Sequence, residues 1–367
     1  MTRRLRWAAA LCTALALLTG CWDQRPVEGR GVVESVGVAP TATPGVRQWT
    51  FVFPNPTESV SNLGTLPPDQ NLYALAVTAR TWTTALLKVQ QQSTRDLYFG
   101  QFRVLVLSPR LSASTWARLI TTFNRSGRIL KTFYVVAGDP AGLVAQTPTL
   151  SEGGPFYGLF KLLACHCQPF MFGQRAWQVW DRLKTPGVSP VVPLIRVSAS
   201  EILENRQIAV LGPKTVIPWS PAASAGWAYL TQHVVKGALT VTVDGQRIGL
   251  NRLHGSSHVT VVADAAGTRV VDRLSYRAAL EDVPPTLRLT PAEKTAIAQA
   301  ASHALLRLGD QAVRAAEREQ VDPFGWHREA QWARNAPGSP WPMPVSWTGW
   351  TVDLTAKVHI ANEGVSQ

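Results

Sequence analysis

Thr290-Pro291-Ala292-Glu293 opens the longest stretch of helical periodicity in the chain, and it limits the folds open to the surrounding sequence. A threonine can cap a helix and proline suits the first helical position. Glutamate three residues on can reach back to the threonine backbone and close a capping box. Behind that start, Ile297, Ala301, Leu305, Leu308 and Ala312 fall on one face and carry the predicted helix to about Gln320. A helix of that length needs a broad apolar surface to cover its stripe, and the flanking segments offer strands. Before it, GALTVTVDGQRIGL reads as a hairpin about Asp244-Gly245, and SHVTVVADAAGTRVVDRLSY as a second pair of strands. After it, Trp350, Val352, Leu354, Ala356, Val358 and Ile360 alternate with Thr351, Asp353, Thr355, Lys357 and His359. One buried and one wet face is the antiparallel-sheet pattern. The C-terminal half is therefore expected to be α+β, a curved antiparallel sheet packed on one long helix.

The N-terminal half alternates between the two periodicities. GVVESVGV and RQWTFVF read as strands, closed by Pro54-Asn55-Pro56. A helix follows around Trp82 to Gln92, with Trp82, Ala85, Leu86 and Val89 on one face. FRVLVL is a strand, STWARLITTF a helix with Trp116, Leu119, Ile120 and Phe123 inward, and TFYVVAG another strand. This is a mixed α/β layer over residues 30–140. A looser region from Ser151 to Asp181 includes a helix at QRAWQVWDRL. Pro186, Pro190 and Pro193 then punctuate the chain, which places the main boundary near residue 190. The expected units are 1–20, 21–190 and 191–367.

The first unit is read as a leader. Met1 to Arg6 is basic without a carboxylate, and the apolar run from Trp7 to Leu18 falls short of the about 20 residues that cross a bilayer. Together they describe a secretory signal peptide. Its exit, Leu18-Thr19-Gly20-Cys21, fits the bacterial lipobox, in which small residues keep the backbone accessible and the Cys21 thiol forms a thioether to lipid. Two acyl chains on Cys21 suffice for stable anchoring where one is marginal. Trp22 would sit in the headgroup layer, or with Asp23 mark a docking contact near the membrane. Loss of residues 1–20 leaves 347 of 367 residues and lowers the formal charge from +12 to +9, because Arg3, Arg4 and Arg6 leave and no acid does. Such a basic ectodomain suits an anionic membrane surface or an acidic partner, while export argues against nucleic acid.

The residue types that carry catalysis do not assemble into a motif. Cys165 and Cys167 flank His166, but tetrahedral zinc wants four ligands and no second pair at ligand spacing accompanies them. A disulfide across one residue would be strained, so both read as small, semi-buried thiols. His254 and His258 in HGSSH stand four apart, yet Gly255, Ser256 and Ser257 oppose a helix and no acid adjoins the first histidine. That stretch is expected to be turn residues between strands. Gly212-Pro213-Lys214-Thr215 lacks the glycine before lysine that wraps phosphate, and no Gly-x-Ser-x-Gly elbow occurs. No catalytic, cofactor or metal site is expected. Five indoles, Trp326, Trp332, Trp341, Trp347 and Trp350, crowd the C-terminal end among Pro337, Pro340, Pro342 and Pro344. Either they cover one end of the sheet, or some stay exposed as membrane or partner anchors, for which Trp326 and Trp341 are the candidates.

Several segments resemble one family. CWDQR directly after a lipobox is similar to the mature start of Ger(x)C lipoproteins, the C subunits of spore nutrient-germinant receptors. DLYFGQFRVLVLSPRLS, Asp96 to Ser112, resembles that family's strand-opening segment. VDPFGWHREAQW resembles its Asp-x-Phe-Gly motif, here Asp322, Phe324 and Gly325; FPNP and SPVVPLIRV match its Pro-marked segments. Gln101 stands where the family commonly has histidine, and GVAPTATPG lacks a frequent aspartate. The resemblance implies three domains of uncommon fold, so that the unit 21–190 would itself divide. It also implies a non-catalytic, lipid-anchored subunit on the outer face of the spore inner membrane, needed for nutrient-triggered germination. Its expected partners are the integral A and B subunits of the receptor. The alternative is a substrate-binding lipoprotein of an importer, which shares the anchor but requires two similar lobes.

Overall fold

The computed structural model describes residues 7, 26, 29–54, 72–144, 155–164, 173–197, 203–234, 237–264, 267–284, 287, 289–333 and 346–361. Cys21, Trp22, Asp23, Trp341, Cys165 and Cys167 lie outside them. The chain runs β1 (Arg30–Val32), β2 (Ser35–Pro40), β3 (Arg47–Pro54), β4 (Leu72–Ala79), α1 (Trp82–Gln90), β5 (Asp96–Tyr98) and β6 (Val104–Leu107). It continues through α2 (Ala113–Arg125), β7 (Tyr134–Ala137), α3 (Pro140–Val144), α4 (Pro155–Ala164), α5 (Ala176–Lys184), β8 (Val191–Val197), β9 (Leu203–Leu211) and β10 (Val216–Pro218). The C-terminal part is α6 (Pro221–Leu230), β11 (Gly237–Val243), β12 (Gln246–Asp264), β13 (Gly267–Asp282), α7 (Pro291–Glu319), α8 (Trp326–Ala333) and β14 (Trp350–Ala361).

Eight strands form one mixed sheet in the order β10-β9-β8-β7-β6-β2-β3-β4. Its four middle strands are mutually parallel, with antiparallel pairs at both sides. Because helices cover both faces, β6 and β7 at the centre are apolar and buried at every position, as buried parallel strands must be. Leu105, Leu107, Val135 and Ala137 point into a core with α1, α2 and α5. Val104, Val106, Tyr134 and Val136 point the other way, against Leu143 of α3 and Leu159 and Leu163 of α4. GVVESVGV divides in two because the chain changes partners within it. β1 pairs with β5, and β2 pairs with β3 and β6. The helix faces agree with the periodicity: Trp116, Leu119, Ile120 and Phe123 of α2 are all buried.

The sheet does not stop at residue 190. Strands β8 to β10 complete it, so the expected boundary falls inside one hydrogen-bonded layer. Alternation in β9 explains the continuity. Ala209 and Leu211 face the core shared with α2. Ile208 and Val210 face a second core with Trp219, Trp227 and the C-terminal elements. One wall thus serves two cores.

The C-terminal sheet has the order β11-β12-β13-β14, with α7 packed on one face. Thr290 caps α7 with the reciprocal Glu293 contact, Pro291 follows, and Ile297, Ala301, Leu305 and Ala312 are buried. Asp244 and Gly245, both at positive φ (49° and 77°), turn β11 into β12. Two expectations are corrected here. The sheet is not wholly antiparallel: β14 pairs in parallel with β13. The reason is topological, since α7 and α8 form the crossover that a parallel return requires. HGSSH is not a turn but part of β12, with His254 opposite Arg277 and His258 opposite Arg273. A register shift between Asn251 and His254, with Arg252 at φ 50°, absorbs the irregularity and lets the ladder continue. Pairing with β13 overrides the weak local strand preference of Gly and Ser.

Helix α6 was not legible as a helix by periodicity, because it is apolar nearly all round and buried from Ala223 to Leu230 on most sides. Ser220 caps it and Pro221 opens it. It lies against α7 at close range. A Cβ on Gly226 would overlap the Leu308 carbonyl, so the contact exists only with glycine there.

Candidate functional site

Directly after α7 the chain runs Val321-Asp322-Pro323-Phe324-Gly325-Trp326-His327, and this segment gathers three distant parts of the protein. Gln320 ends α7 in the left-handed region at φ 51°. Asp322, 0% exposed, then turns its carboxylate back on the following residues. Its Oδ1 accepts from the backbone N–H of Phe324 at 3.0 Å and Gly325 at 2.8 Å. Its Oδ2 accepts from the His327 N–H at 2.6 Å and meets His327 Nδ1 at 3.2 Å. A carboxylate placed before the first turn of α8 satisfies amides that a helix start leaves unpaired.

The backbone of the same segment binds outward. Ser189 N–H donates to the Asp322 carbonyl at 2.7 Å. In return the Asp322 N–H donates to Ser189 Oγ at 3.0 Å across 133 residues of sequence. The Pro323 carbonyl accepts from Trp227 Nε1 of α6 at 3.1 Å and from Arg182 Nη1 of α5 at 3.1 Å. Trp347 Nε1, just before β14, donates to the Val321 carbonyl at 3.2 Å. His327 Nε2 lies 2.9 Å from the Ser346 carbonyl. Both ring nitrogens of His327 therefore face oxygen atoms of the chain. That ring stacks on Trp350 at 4.1 Å and meets Trp347 edge-on at 5.0 Å. The result is a clasp that fastens α5, the strand wall at β8, α6 and β14 to one turn of chain.

Burial sets the electrostatics around it. The Arg182 guanidinium is pulled below its ordinary range by burial, an effect that Asp322 opposes and Arg328 reinforces. His233, stacked on Trp227 at 4.6 Å, is lowered to about 4 by burial and by the charge of Arg182, against a hydrogen bond to the Thr231 backbone. It is neutral at pH 7. Beside the clasp runs an open groove of about 740 Å³, walled by Arg182, Gln232, His233, Trp326, Glu329 and Trp332 among others. The polar groups on its floor are engaged with the chain itself: Gln232 Nε2 donates to the Ser257 carbonyl at 2.7 Å, and His233 Nδ1 contacts Thr231 Oγ1 at 2.9 Å.

The indoles separate into two kinds. Trp326, a candidate surface anchor from sequence, is only 3% exposed and stacks on Phe324 at 4.2 Å, so it is a core residue and not a contact residue. Its position at the start of α8, under the folded-back motif, turns it inward. Trp347 is buried beside it, whereas Trp332 on α8 is 63% exposed with Arg328 over its ring at 4.9 Å. Asp322, Phe324 and Gly325 were visible in sequence as a motif. Arg182, Ser189, Trp227 and His327 were not, and only the SPVVPLIRV segment hinted at Ser189. The segments SPVVPLIRV and VDPFGWHREAQW thus bind each other in space through Ser189 and Asp322. At the other resembling segment, Phe99 and Phe102 enter an aromatic cluster with Trp82, Phe123 and Phe133. Gln101, where the family commonly has histidine, is exposed.

Among the described residues, no three His, Cys, Asp or Glu side chains gather as a metal site, and no helix is long and apolar enough to cross a membrane. Comparison with curated proteins finds no match. Among solved structures, the crystal structure of the GerBC protein is similar, with a TM-score of 0.55 at 12% identity, covering 89% of this chain and 97% of that one. Residues 23–197 match the spore germination protein N-terminal domain. Residues 23–197 thus belong to that family of spore germination domains, and the chain takes a GerBC-like fold over most of its length.

Proposed function

We propose that the chain is a lipid-anchored, non-catalytic subunit of a membrane-bound spore germinant receptor, held on the outer face of the spore inner membrane through Cys21. The observation that carries this reading is the adjacency of two features: the germination domain match begins at residue 23, two residues beyond the lipobox cysteine. Lipidation there restricts the folded part to the membrane plane and raises its effective concentration beside integral partners, the A and B subunits. In this reading Trp22 lies at headgroup depth, Asp23 is free to meet a partner close to the membrane, and Trp341 remains a candidate contact. A non-catalytic role accords with the clasp. Its carboxylate and imidazole are buried and bonded to the chain itself, so they hold structure and have no room for substrate.

An importer's binding lipoprotein would need two similar lobes about a hinge. The described halves differ, one an eight-stranded sheet with helices on both faces, the other a four-stranded sheet under a long helix. The test is Cys21→Ala in sporulating cells. The protein is expected to fold normally, leave the membrane fraction on a high-salt wash that screens charge-held binding, and impair nutrient germination. Full retention in the membrane fraction after that wash would refute the anchor.

A further inference from the structure

The face of the C-terminal sheet turned away from α7 carries a charge pattern that the receptor reading does not use. On β13, residues alternate strictly: Val270, Asp272, Leu274, Tyr276 and Ala278 are buried, while Arg269, Arg273, Ser275 and Arg277 are exposed. The strand partners extend that outer face. On β12 it presents Val262, Thr260, His258, Ser256 and His254 opposite residues 269, 271, 273, 275 and 277. On β14 it presents Thr351, Asp353, Thr355, Lys357 and His359 opposite the same positions.

Over positions 269–277, four permanent cations, Arg269, Arg273, Arg277 and Lys357, therefore share this face with one carboxylate, Asp353, which is taken by Arg269 at 2.7 Å; the next outward acid on β13, Glu281, is exposed beyond Arg277. Arg273, Arg277 and Lys357 have no acidic partner among the described residues. Arg269 to Arg277 spans roughly 27 Å along an extended strand, and the three strands cover about 10 Å across. The surface between the cations is Ser, Thr and His with Val262 and Val271, and it carries no Trp, Tyr or Phe. Protein–protein hot spots are built on aromatic anchors set in pockets, which this face lacks. A flat, hydroxyl-rich and cationic surface instead complements a plane of hydrated phosphates.

We propose that this sheet face docks on an anionic lipid bilayer, with Arg273, Arg277 and Lys357 as the principal phosphate contacts. The contact is separate from the tether at Cys21 and acts on the same membrane, so that the ectodomain would lie down on the surface by its C-terminal sheet. Attraction of this kind weakens as salt shortens the screening length.

The test uses the chain from residue 21 onward carrying Cys21→Ala, which keeps every element from β1 to β14 and has no lipid, so its outcome is independent of whether Cys21 is acylated. Sedimentation with phosphatidylglycerol/phosphatidylcholine vesicles at low salt is compared with pure phosphatidylcholine. Each basic residue at an anionic surface contributes about fivefold to partitioning, so Arg273→Gln, Arg277→Gln and Lys357→Gln together are expected to weaken binding about 100-fold. A control triple at exposed positions of the N-terminal part, Arg125→Gln, Arg128→Gln and Lys131→Gln, lowers net charge equally and should leave most binding intact. Circular dichroism verifies the fold of both triples. Failure of the parent chain to bind anionic vesicles, equal loss in the two triples, or binding to soluble polyglutamate without binding to vesicles would each overturn the proposal, the last in favour of an acidic protein partner.

Discussion

Replacing Asp322 with alanine removes the acceptor on which the clasp is built. Three backbone amides, those of Phe324, Gly325 and His327, lose an oxygen that lies 2.6 to 3.0 Å away. The His327 ring, 3.2 Å away, loses its carboxylate. Hydrogen bonds to a charged group contribute about 1.5–3 kcal/mol each, and a buried donor left unpaired costs about 1–3 kcal/mol. Water cannot simply replace the carboxylate, because the site is closed by Trp326, Trp347 and the Pro323 backbone. Relaxation makes the terms less than additive. With one or two buried amides left unpaired after relaxation, a net loss of about 3–5 kcal/mol is expected. With about 2–4 °C of thermal midpoint per kcal/mol for domains of this size, the midpoint should fall by roughly 10 °C. Asp322→Asn keeps an oxygen for Phe324 and Gly325 but presents N–H to His327, so about half the loss is expected. Thermal unfolding followed by tryptophan fluorescence measures both, and His327→Gln added to Asp322→Ala should cost less than the sum. A loss under about 1 kcal/mol for Asp322→Ala would mean that solvent reaches the turn and that the clasp is not the fastening described.

The remaining predictions concern the C-terminal core. Asp272 is 0% exposed, accepts one bond from Ser257 Oγ at 2.7 Å and has an unpartnered Oδ2. Burial raises its pKa from 3.8 to about 6, against the opposing influence of Ser257 and His258. Because the folded value lies above the unfolded one, its contribution is complete in acid and is lost as pH rises through about 6. The ionised form then costs about 3 kcal/mol at pH 7 but only about 0.5 kcal/mol at pH 4. Asp272→Asn should therefore gain stability relative to the native chain between pH 4 and pH 7, read as a widening gap in thermal midpoints; parallel pH profiles would contradict it. Gly226→Ala drives a methyl into the Leu308 carbonyl and should cost about 1–3 kcal/mol as α6 and α7 move apart, whereas an unchanged urea midpoint would show that the helices give way freely.

Individual elements and their faces were largely legible in the sequence. The start of α7, the inward face of α2 and the turn at Asp244-Gly245 follow from capping, a 3.6-residue period and turn chemistry, all of which act within a few residues. The candidate site was legible in one strand only. Asp322, Phe324 and Gly325 stood out as a motif, but nothing adjacent to them named Ser189, Arg182 or Trp227 as partners. Trp326 was misjudged for the same reason: an indole's exposure depends on what folds over it, and here that is its own preceding turn and Phe324.

Local chemistry determined which segments are helix or strand, where α7 begins, and which side chains of each element are apolar. Only the tertiary structure decided that β14 returns parallel to β13, that β8 to β10 finish the first sheet, and that HGSSH stays in a ladder. Those outcomes depend on hydrogen bonds and apolar surfaces that join residues distant in sequence, Thr268 with Trp350, Ala137 with Leu194 and His254 with Arg277. Short-range periodicity carries the preference of a segment for a shape and not the identity of its neighbour.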